Sequence, residues 1–235
     1  SFAHDLDLGF LVLSDFGDHH FQDALGDESW NSLYQLATNE LVNFQNSLGS
    51  AEEKLPTFSK SWQWKELDIF RAWCLPDVSN EEFQETFNAL VESIDQIPKA
   101  FMHRDFHCRN LLLCSSNELG VIDFQGAMFG PVTYDLVSLL RDCYVENEED
   151  WISREVASFQ QKLISAGLAF AKVETEEFMR WFDLAGLQRH LKCIGIFNRL
   201  KIRDNKPNYM NDVPRVQAYV ETVLHRYPEL KSAKT

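Results

Sequence analysis

Two short polar segments separated by a turn constrain this chain more than any other feature. The first is His-Arg-Asp-Phe-His-Cys-Arg-Asn at 103–110, and the second begins at Asp123. Between them lie two apolar runs joined by a polar turn at 115–118, which is the pattern of a β-hairpin. Because a hairpin returns the chain to its starting end, we expect Asp123 to lie near Asn110.

The residue types at these positions suit phosphoryl transfer. Asp123 and the amide oxygen of Asn110 are hard oxygen ligands, which can hold Mg²⁺ against nucleotide phosphates. Asp105, in the loop before them, stays free to orient an attacking hydroxyl and to accept its proton. We therefore predict Asp105 as the catalytic residue, Asn110 and Asp123 as metal ligands, and ATP and Mg²⁺ as cofactors. A zinc site formed by His103, Asp105 and His107 is an alternative, but it lacks further clustered ligands.

Composition narrows the possible partners. Asp and Glu number 36 against 22 Lys and Arg, giving a formal net charge of −14, which disfavours nucleic acids and anionic membranes. The five cysteines form no C-x-x-C motif and are expected to be reduced thiols. No apolar run approaches the roughly 18 residues needed to cross a bilayer. We predict a cytoplasmic protein with a small-molecule substrate; the oligomeric state stays open.

Hydrophobic periodicity predicts a chain that is mostly helical. The run Phe10 to Leu13 is expected to be a buried strand, and residues 51–77 are expected to be irregular with short helical pieces. Ser79 and Glu82 have the spacing of a capping box. Everything after the hairpin is predicted to be helical. The predicted helices cover 28–48, 79–97, 133–144, 150–166, 175–199 and 214–227.

These motifs resemble a known family. The pattern H-x-D-x-x-x-x-N followed by D-F is similar to the catalytic loop and metal-binding motif of protein kinase-like enzymes. His107, two residues after Asp105, resembles the aminoglycoside and choline phosphotransferase branch. The segment 9–17, Gly-Phe-Leu-Val-Leu-Ser-Asp-Phe-Gly, resembles the hinge of that branch, whose backbone binds adenine. The resemblance implies nucleotide contacts at three hinge residues, Leu13, Ser14 and Asp15.

Two further stretches, 120–136 and 188–200, resemble bacterial anomeric kinases that phosphorylate N-acetylmuramate and N-acetylglucosamine in cell-wall recycling. This resemblance implies an amino sugar as acceptor and a sugar 1-phosphate as product. The alternatives are an aminoglycoside, choline or homoserine kinase, or a kinase-like binding module without catalysis. The candidate substrate residues are Arg109, Gln125, Gln188, Arg189 and Arg199, for which surface or interhelical contacts are the competing interpretation.

The implied fold is α+β and mostly helical: a protein kinase-like C-terminal lobe with a catalytic β-hairpin. Residues 1–18 would form the hinge segment and 19–235 the helical lobe. Members of the family begin with a small five-stranded lobe that covers the nucleotide. Because this sequence starts at Ser1, just before the hinge, we expect that lobe to be largely missing and the chain to be a truncated portion. The comparison also suggests that Asp135 holds the backbone of the catalytic loop.

Overall fold

Helices make up most of the secondary structure. The computed structural model describes residues 3–5, 7–26, 28–47, 55–114 and 118–230. The helices are α1 (Phe21–Ala24), α2 (Trp30–Ser47), α3 (Lys60–Cys74), α4 (Asn80–Asp95), α5 (Tyr134–Leu140), α6 (Glu149–Ser165), α7 (Thr175–Ile202) and α8 (Val213–Arg226). The strands are β1 (Ala3–Asp5), β2 (Phe10–Val12), β3 (Lys99–Met102), β4 (Leu111–Leu113), β5 (Leu119–Val121) and β6 (Met128–Pro131).

The longest helix, α7, lies at the centre of the fold. It spans 28 residues and buries side chains on all of its faces, as a helix does when other helices surround it. It contacts α3, α5, α6 and α8. Gly195 lets α3 approach closely, because a Cβ added there would lie 2.7 Å from the backbone of Phe70. The fold therefore depends on α7 as the element that connects the other helices.

The strands form three separate antiparallel pairs, β1 with β2, β3 with β6, and β4 with β5. The pair β4 and β5 occupies the two apolar runs on either side of 115–117, which lie outside the described residues. The pair β3 and β6 places Phe101 opposite Phe129. The expectation that only helices follow the hairpin was wrong, because β6 gains its hydrogen-bond partner from β3, which lies far away in the sequence.

Helix α3 is a second correction, since its region was predicted to be irregular. The helix buries Gln63, Glu66 and Leu67, and it packs along α7. Two of these three buried residues are polar and the aromatic residues of α3 are only partly buried, so the sequence pattern did not separate an inward from an outward face. Packing against α7 stabilises the helix instead. Residues 51–54 of the same prediction lie outside the described residues.

Strand β2 is present but exposed, which corrects the expectation of a buried strand. Phe10 and Val12 are 66% and 54% exposed. In the described part of the chain β2 pairs only with β1, so its apolar side chains are left uncovered.

The predicted cap of α4 is confirmed, because the backbone N–H of Glu82 donates to Ser79 Oγ at 3.2 Å. None of the described helices is both long and apolar enough to span a membrane.

Candidate active site

The catalytic loop connects β3 to β4, and hydrogen bonds bring its predicted residues together. Asn110 Nδ2 donates to the backbone carbonyl of Asp105 at 2.9 Å. The backbone N–H of Ile122, just before Asp123, donates to the carbonyl of Asn110 at 3.1 Å. The start of β4 and the end of β5 therefore meet at the loop, so the backbones of Asp105, Asn110 and Asp123 lie close together.

The donor atoms at this point fit Mg²⁺. Because Asn110 Nδ2 is engaged by Asp105, Oδ1 is the amide atom that can ligate a cation. Asp123 is exposed and has a left-handed backbone, with φ 65°, which is uncommon for a residue with a side chain. Gln125 Nε2 donates to Asp123 Oδ1. The described residues contain no group of three His, Cys, Asp or Glu side chains that could hold a metal, so substrate phosphates and water would complete the coordination of Mg²⁺.

Asp135 fixes the start of the catalytic loop. Its Oδ2 accepts from the backbone N–H of His103 at 2.6 Å, and its Oδ1 accepts from that of Arg104 at 2.9 Å. Arg104 has a φ of 79°, a strained value that persists only where neighbouring contacts enforce it. Burial raises the pKa of Asp135 to about 6, although His103 and the two N–H groups favour its ionised form. The prediction that Asp135 holds the loop backbone is confirmed.

Asp142 anchors the other end of the loop, and the sequence analysis missed it. This buried carboxylate accepts from the backbone N–H of Cys108 through Oδ2 and from that of Tyr144 through Oδ1, each at 2.8 Å. An Asp near a predicted helix end carries no sequence signal that separates an anchor from a surface charge. The loop is thus fixed at both ends by buried carboxylates.

A buried ionic network lies beside the loop. Glu66 Oε1 accepts from Arg104 Nη2 at 2.6 Å and is 3.3 Å from Lys192 Nζ. Tyr134 Oη donates to Glu66 Oε2 at 3.4 Å. Glu66 comes from α3 and Lys192 from α7, so the network joins two helices to the loop. Glu66 was missed because its segment was predicted to be irregular.

Positive charge keeps Asp105 ionised. Burial raises the pKa of Asp105, but the positive charges of Lys192 and Arg189 lower it, and the net direction is below the ordinary value of 3.8. Burial lowers the pKa of Lys192, but Tyr134, Glu66 and Asp105 raise it well above its usual range. Asp105 is therefore a carboxylate beside a protonated Lys192, and it can accept a hydrogen bond from a hydroxyl group.

The candidate substrate residues on α7 occupy three different environments. Arg189 is 2% exposed, its Nη1 lies 3.5 Å from Cys143 Sγ, and its charge acts on Asp105. Gln188 is 0% exposed and donates to the backbone carbonyl of Gln63 at 3.0 Å, which places it in the packing between α7 and α3 rather than at the site surface. Arg199 lies ten residues beyond Arg189, about 15 Å along the helix axis. Of these three, the structure brings only Arg189 close to Asp105.

The predicted hinge residues belong to a segment that meets the end of β4. Leu13, Ser14 and Asp15 are exposed. The backbone N–H of Leu113 donates to the carbonyl of His19 at 2.8 Å, which ties the segment to the strand that follows the catalytic loop. A cavity of about 560 Å³ opens between the hinge segment and this strand. Its lining residues are Asp15, Phe16, Gly17, Asp18, His19, Leu113 and Cys114.

Arg109 is exposed on the loop, next to Asn110. Its guanidinium carbon lies 3.5 Å from the centre of the Tyr144 ring. His107 packs edge-on against the same ring, with centroids 5.4 Å apart. Burial also lowers the pKa of His107, so its imidazole is favoured in the neutral form. Arg109 and His107 therefore share one aromatic support.

A helical domain that presents a loop carboxylate beside an Asn and an Asp has the arrangement of the protein kinase-like phosphotransferases. Comparison with known proteins gives the same class. The model of the family described as "Phosphotransferase enzyme family" matches residues 4–182, and the chain belongs to this family. The family is one of small-molecule phosphotransferases, as the resemblance of the motifs had implied.

Two relatives have the same name, N-acetylmuramate/N-acetylglucosamine kinase. The protein from Neisseria meningitidis is 39% identical over 238 residues, which cover 96% of this chain and 70% of that protein. The protein from Pseudomonas aeruginosa is 39% identical over 236 residues, which cover 97% of this chain and 69% of that protein. The chain therefore spans about 70% of the length of these relatives.

Solved structures share the fold at low sequence identity. The structure of LicA in complex with AMP has a TM-score of 0.57 at 14% identity, and the match covers 85% of this chain and 65% of that one. A Plasmodium vivax ethanolamine kinase has a TM-score of 0.57 at 12% identity, with coverage of 87% and 63%. The expectation of a mostly helical, kinase-like fold is confirmed.

Proposed function

We propose that the protein is an ATP- and Mg²⁺-dependent kinase that phosphorylates the anomeric hydroxyl of an N-acetylated amino sugar. One observation carries the chemistry: the ionised Asp105 is hydrogen-bonded through its backbone to Asn110, one of the two proposed metal ligands. The acceptor follows from the names of the relatives that are 39% identical over nearly the whole chain.

Asp105 would accept a hydrogen bond from the acceptor hydroxyl and direct its oxygen toward the phosphoryl group. Lys192 and Arg189 keep this carboxylate ionised, so it is ready to receive a hydrogen bond but is a weak base. This combination suits a reaction in which proton transfer occurs late and positioning contributes most of the catalysis. Asp105 thus acts mainly by orienting the hydroxyl and only afterwards accepts its proton.

Asn110 Oδ1 and the Asp123 carboxylate would hold Mg²⁺, and Gln125 would fix the orientation of Asp123. When bound, the metal would neutralise charge on the phosphate oxygens. The backbone of Leu13, Ser14 and Asp15 would contact adenine. The cavity beside Asp15 supports this assignment, since it borders the strand that begins at the catalytic loop.

We also propose that residues 1–18 act as the hinge and 19–235 as the C-terminal lobe of a kinase. In enzymes of this type a separate small lobe covers the nucleotide phosphates. The exposed apolar residues of β2, Phe10 and Val12, support this proposal, because contact with such a lobe would bury them.

Phosphoryl transfer by the full-length gene product, measured with ATP and Mg²⁺, tests the proposal. The acceptor panel is N-acetylmuramate, N-acetylglucosamine, an aminoglycoside, choline and homoserine, and ³¹P NMR locates the phosphate. A sugar 1-phosphate is expected. Turnover only with a different acceptor would replace the sugar assignment, and no turnover with any acceptor would favour a binding module.

Asp105→Asn should lower kcat by about 10²–10⁴-fold, because the neutral amide orients the hydroxyl less strongly than the carboxylate does and cannot accept its proton. Asp77→Asn is a matched control, since this exposed carboxylate lies outside the site. Normal turnover by the Asp105 variant would contradict the assignment of the catalytic residue.

A further inference from the structure

A second cavity lies beside the catalytic loop, and the proposed chemistry leaves it unused. It has a volume of about 240 Å³ and is lined by Arg109, Asn208, Tyr209 and Asp212. Pockets that enclose a whole small ligand are commonly about 300–1,000 Å³. The cavity therefore suits one substituent of a substrate. It borders the site, because Arg109 is adjacent in sequence to Asn110.

The cation in this cavity, Arg109, has no ion-pair partner among the residues that the structure describes. Its guanidinium packs on the ring of Tyr144. The acidic residue of the lining, Asp212, is paired with Arg215, with Oδ1 and Nη1 3.2 Å apart. The carboxylate of Asp212 therefore does not cancel the charge of Arg109. Among the described residues, Arg109 thus gives the cavity a positive charge that no ion pair offsets, in a protein of net charge −14.

Aromatic packing fixes the walls of the cavity. Tyr144 packs against Phe197 with ring centroids 6.3 Å apart, and Phe197 stacks on Tyr209 with centroids 5.6 Å apart. Arg109 lies over the ring of Tyr144, with its guanidinium carbon 3.5 Å from the ring centre. A guanidinium held in this way presents a planar pair of donors that matches the two oxygens of a carboxylate.

We propose that the Arg109 cavity is the subsite for an anionic substituent of the acceptor, namely the carboxylate of the lactyl ether that distinguishes N-acetylmuramate from N-acetylglucosamine. This inference rests on the proposed function and adds a specificity-determining residue to it. Arg109 would bind the carboxylate. Because Arg109 is next to Asn110 in the chain, a sugar bound there would lie beside the reacting groups. N-acetylglucosamine, which lacks the lactyl group, would leave the cavity to water.

The test compares kcat/KM of the full-length wild type and Arg109→Met for three acceptors: N-acetylmuramate, its methyl ester and N-acetylglucosamine. Hydrogen bonds to a charged group correspond to an effect of about 10- to 100-fold. We expect Arg109→Met to lose about this factor with N-acetylmuramate and at most about threefold with the two neutral acceptors. The wild type should prefer the free acid over the ester, and the variant should not distinguish them.

Two further variants sharpen the result. Arg154→Met removes the same charge from α6, away from the site, and should leave all three rates near those of the wild type. Arg109→Lys keeps the charge without the planar donors and should fall between wild type and Arg109→Met for N-acetylmuramate alone.

Three outcomes would overturn the subsite. An equal loss with all acceptors would place Arg109 at the nucleotide or at the common part of the sugar. Unchanged kcat/KM values in Arg109→Met would show that Arg109 does not recognise the acceptor. A wild type that does not prefer N-acetylmuramate over its methyl ester would show the same. A wild type that phosphorylates none of the three sugars would instead refute the proposed function itself, before any variant is compared.

Discussion

Replacing Asp135 with Ala should disconnect the catalytic loop from α5. The carboxylate accepts from the backbone N–H groups of His103 and Arg104, and the substitution leaves both donors without their acceptor. Arg104 would also lose the contact that holds its φ at 79°. Since Asp105 is the next residue, its position depends directly on this contact.

The magnitude follows from the two donors, of which the N–H of His103 is buried and that of Arg104 is partly buried. An unsatisfied buried hydrogen-bonding group costs about 1–3 kcal/mol, so Asp135→Ala should lower the free energy of unfolding by about 2–5 kcal/mol. Relief of the strain at Arg104 offsets part of this loss. Displacement of Asp105 should lower kcat by about 10²-fold, because small errors in the position of a reacting group are costly.

Urea unfolding and steady-state kinetics of the full-length protein measure the two effects. Ser138→Ala is the matched control, because Ser138 is equally buried on α5 and its hydroxyl has no hydrogen-bond partner among the described residues. The control should change stability by less than about 1 kcal/mol. Asp135→Asn retains one acceptor oxygen and should give an intermediate loss. If Asp135→Ala unfolded like the control and kept its kcat, Asp135 would not hold the loop.

Two further predictions concern α7. Lys192→Met removes the positive charge that contributes most to lowering the pKa of Asp105 below 3.8. Without that charge the pKa of Asp105 rises, so the carboxylate is protonated at a higher pH than in the wild type. The acid limb of the kcat/KM profile should therefore move to higher pH in the variant, and an identical limb in the same buffers would contradict the electrostatic argument. Gly195→Ala should lower the free energy of unfolding by about 1–3 kcal/mol by forcing α3 away from α7, whereas equal urea midpoints would show that the contact can relax.

The parts of the fold and site that could be predicted are those encoded locally. Ser79 caps α4 through Glu82, three residues away, and both residues are visible in one short stretch of sequence. Asp105 and Asn110 are five residues apart on one loop, and the apolar runs that follow led to the prediction that Asp123 lies near them. Local patterns of this kind predict structure without knowledge of the tertiary contacts.

The missed parts depend on contacts between distant segments. Glu66 interacts with Lys192 across two helices, and the pattern of α3 gave no indication of a buried carboxylate. Strand β6 requires β3, from which it is separated by the whole catalytic loop and hairpin. Gln188 was a candidate substrate residue because its stretch resembles the anomeric kinases, but it contacts the backbone of α3, as the competing interpretation of an interhelical contact predicts.

The buried charges around the loop are easier to explain by function than by stability. Replacing a buried ion pair with apolar residues is often neutral or stabilising, so Glu66 and Lys192 are not needed merely to hold α3 against α7. Glu66 pairs with Arg104 and Lys192, whose positive charges act on Asp105, and Asp135 and Asp142 hold the loop backbone at either end. Apolar residues could fill the same volume, but they could not keep Asp105 ionised in its partly buried position. The network is therefore best understood as the support of one carboxylate that must stay charged while it orients a hydroxyl group.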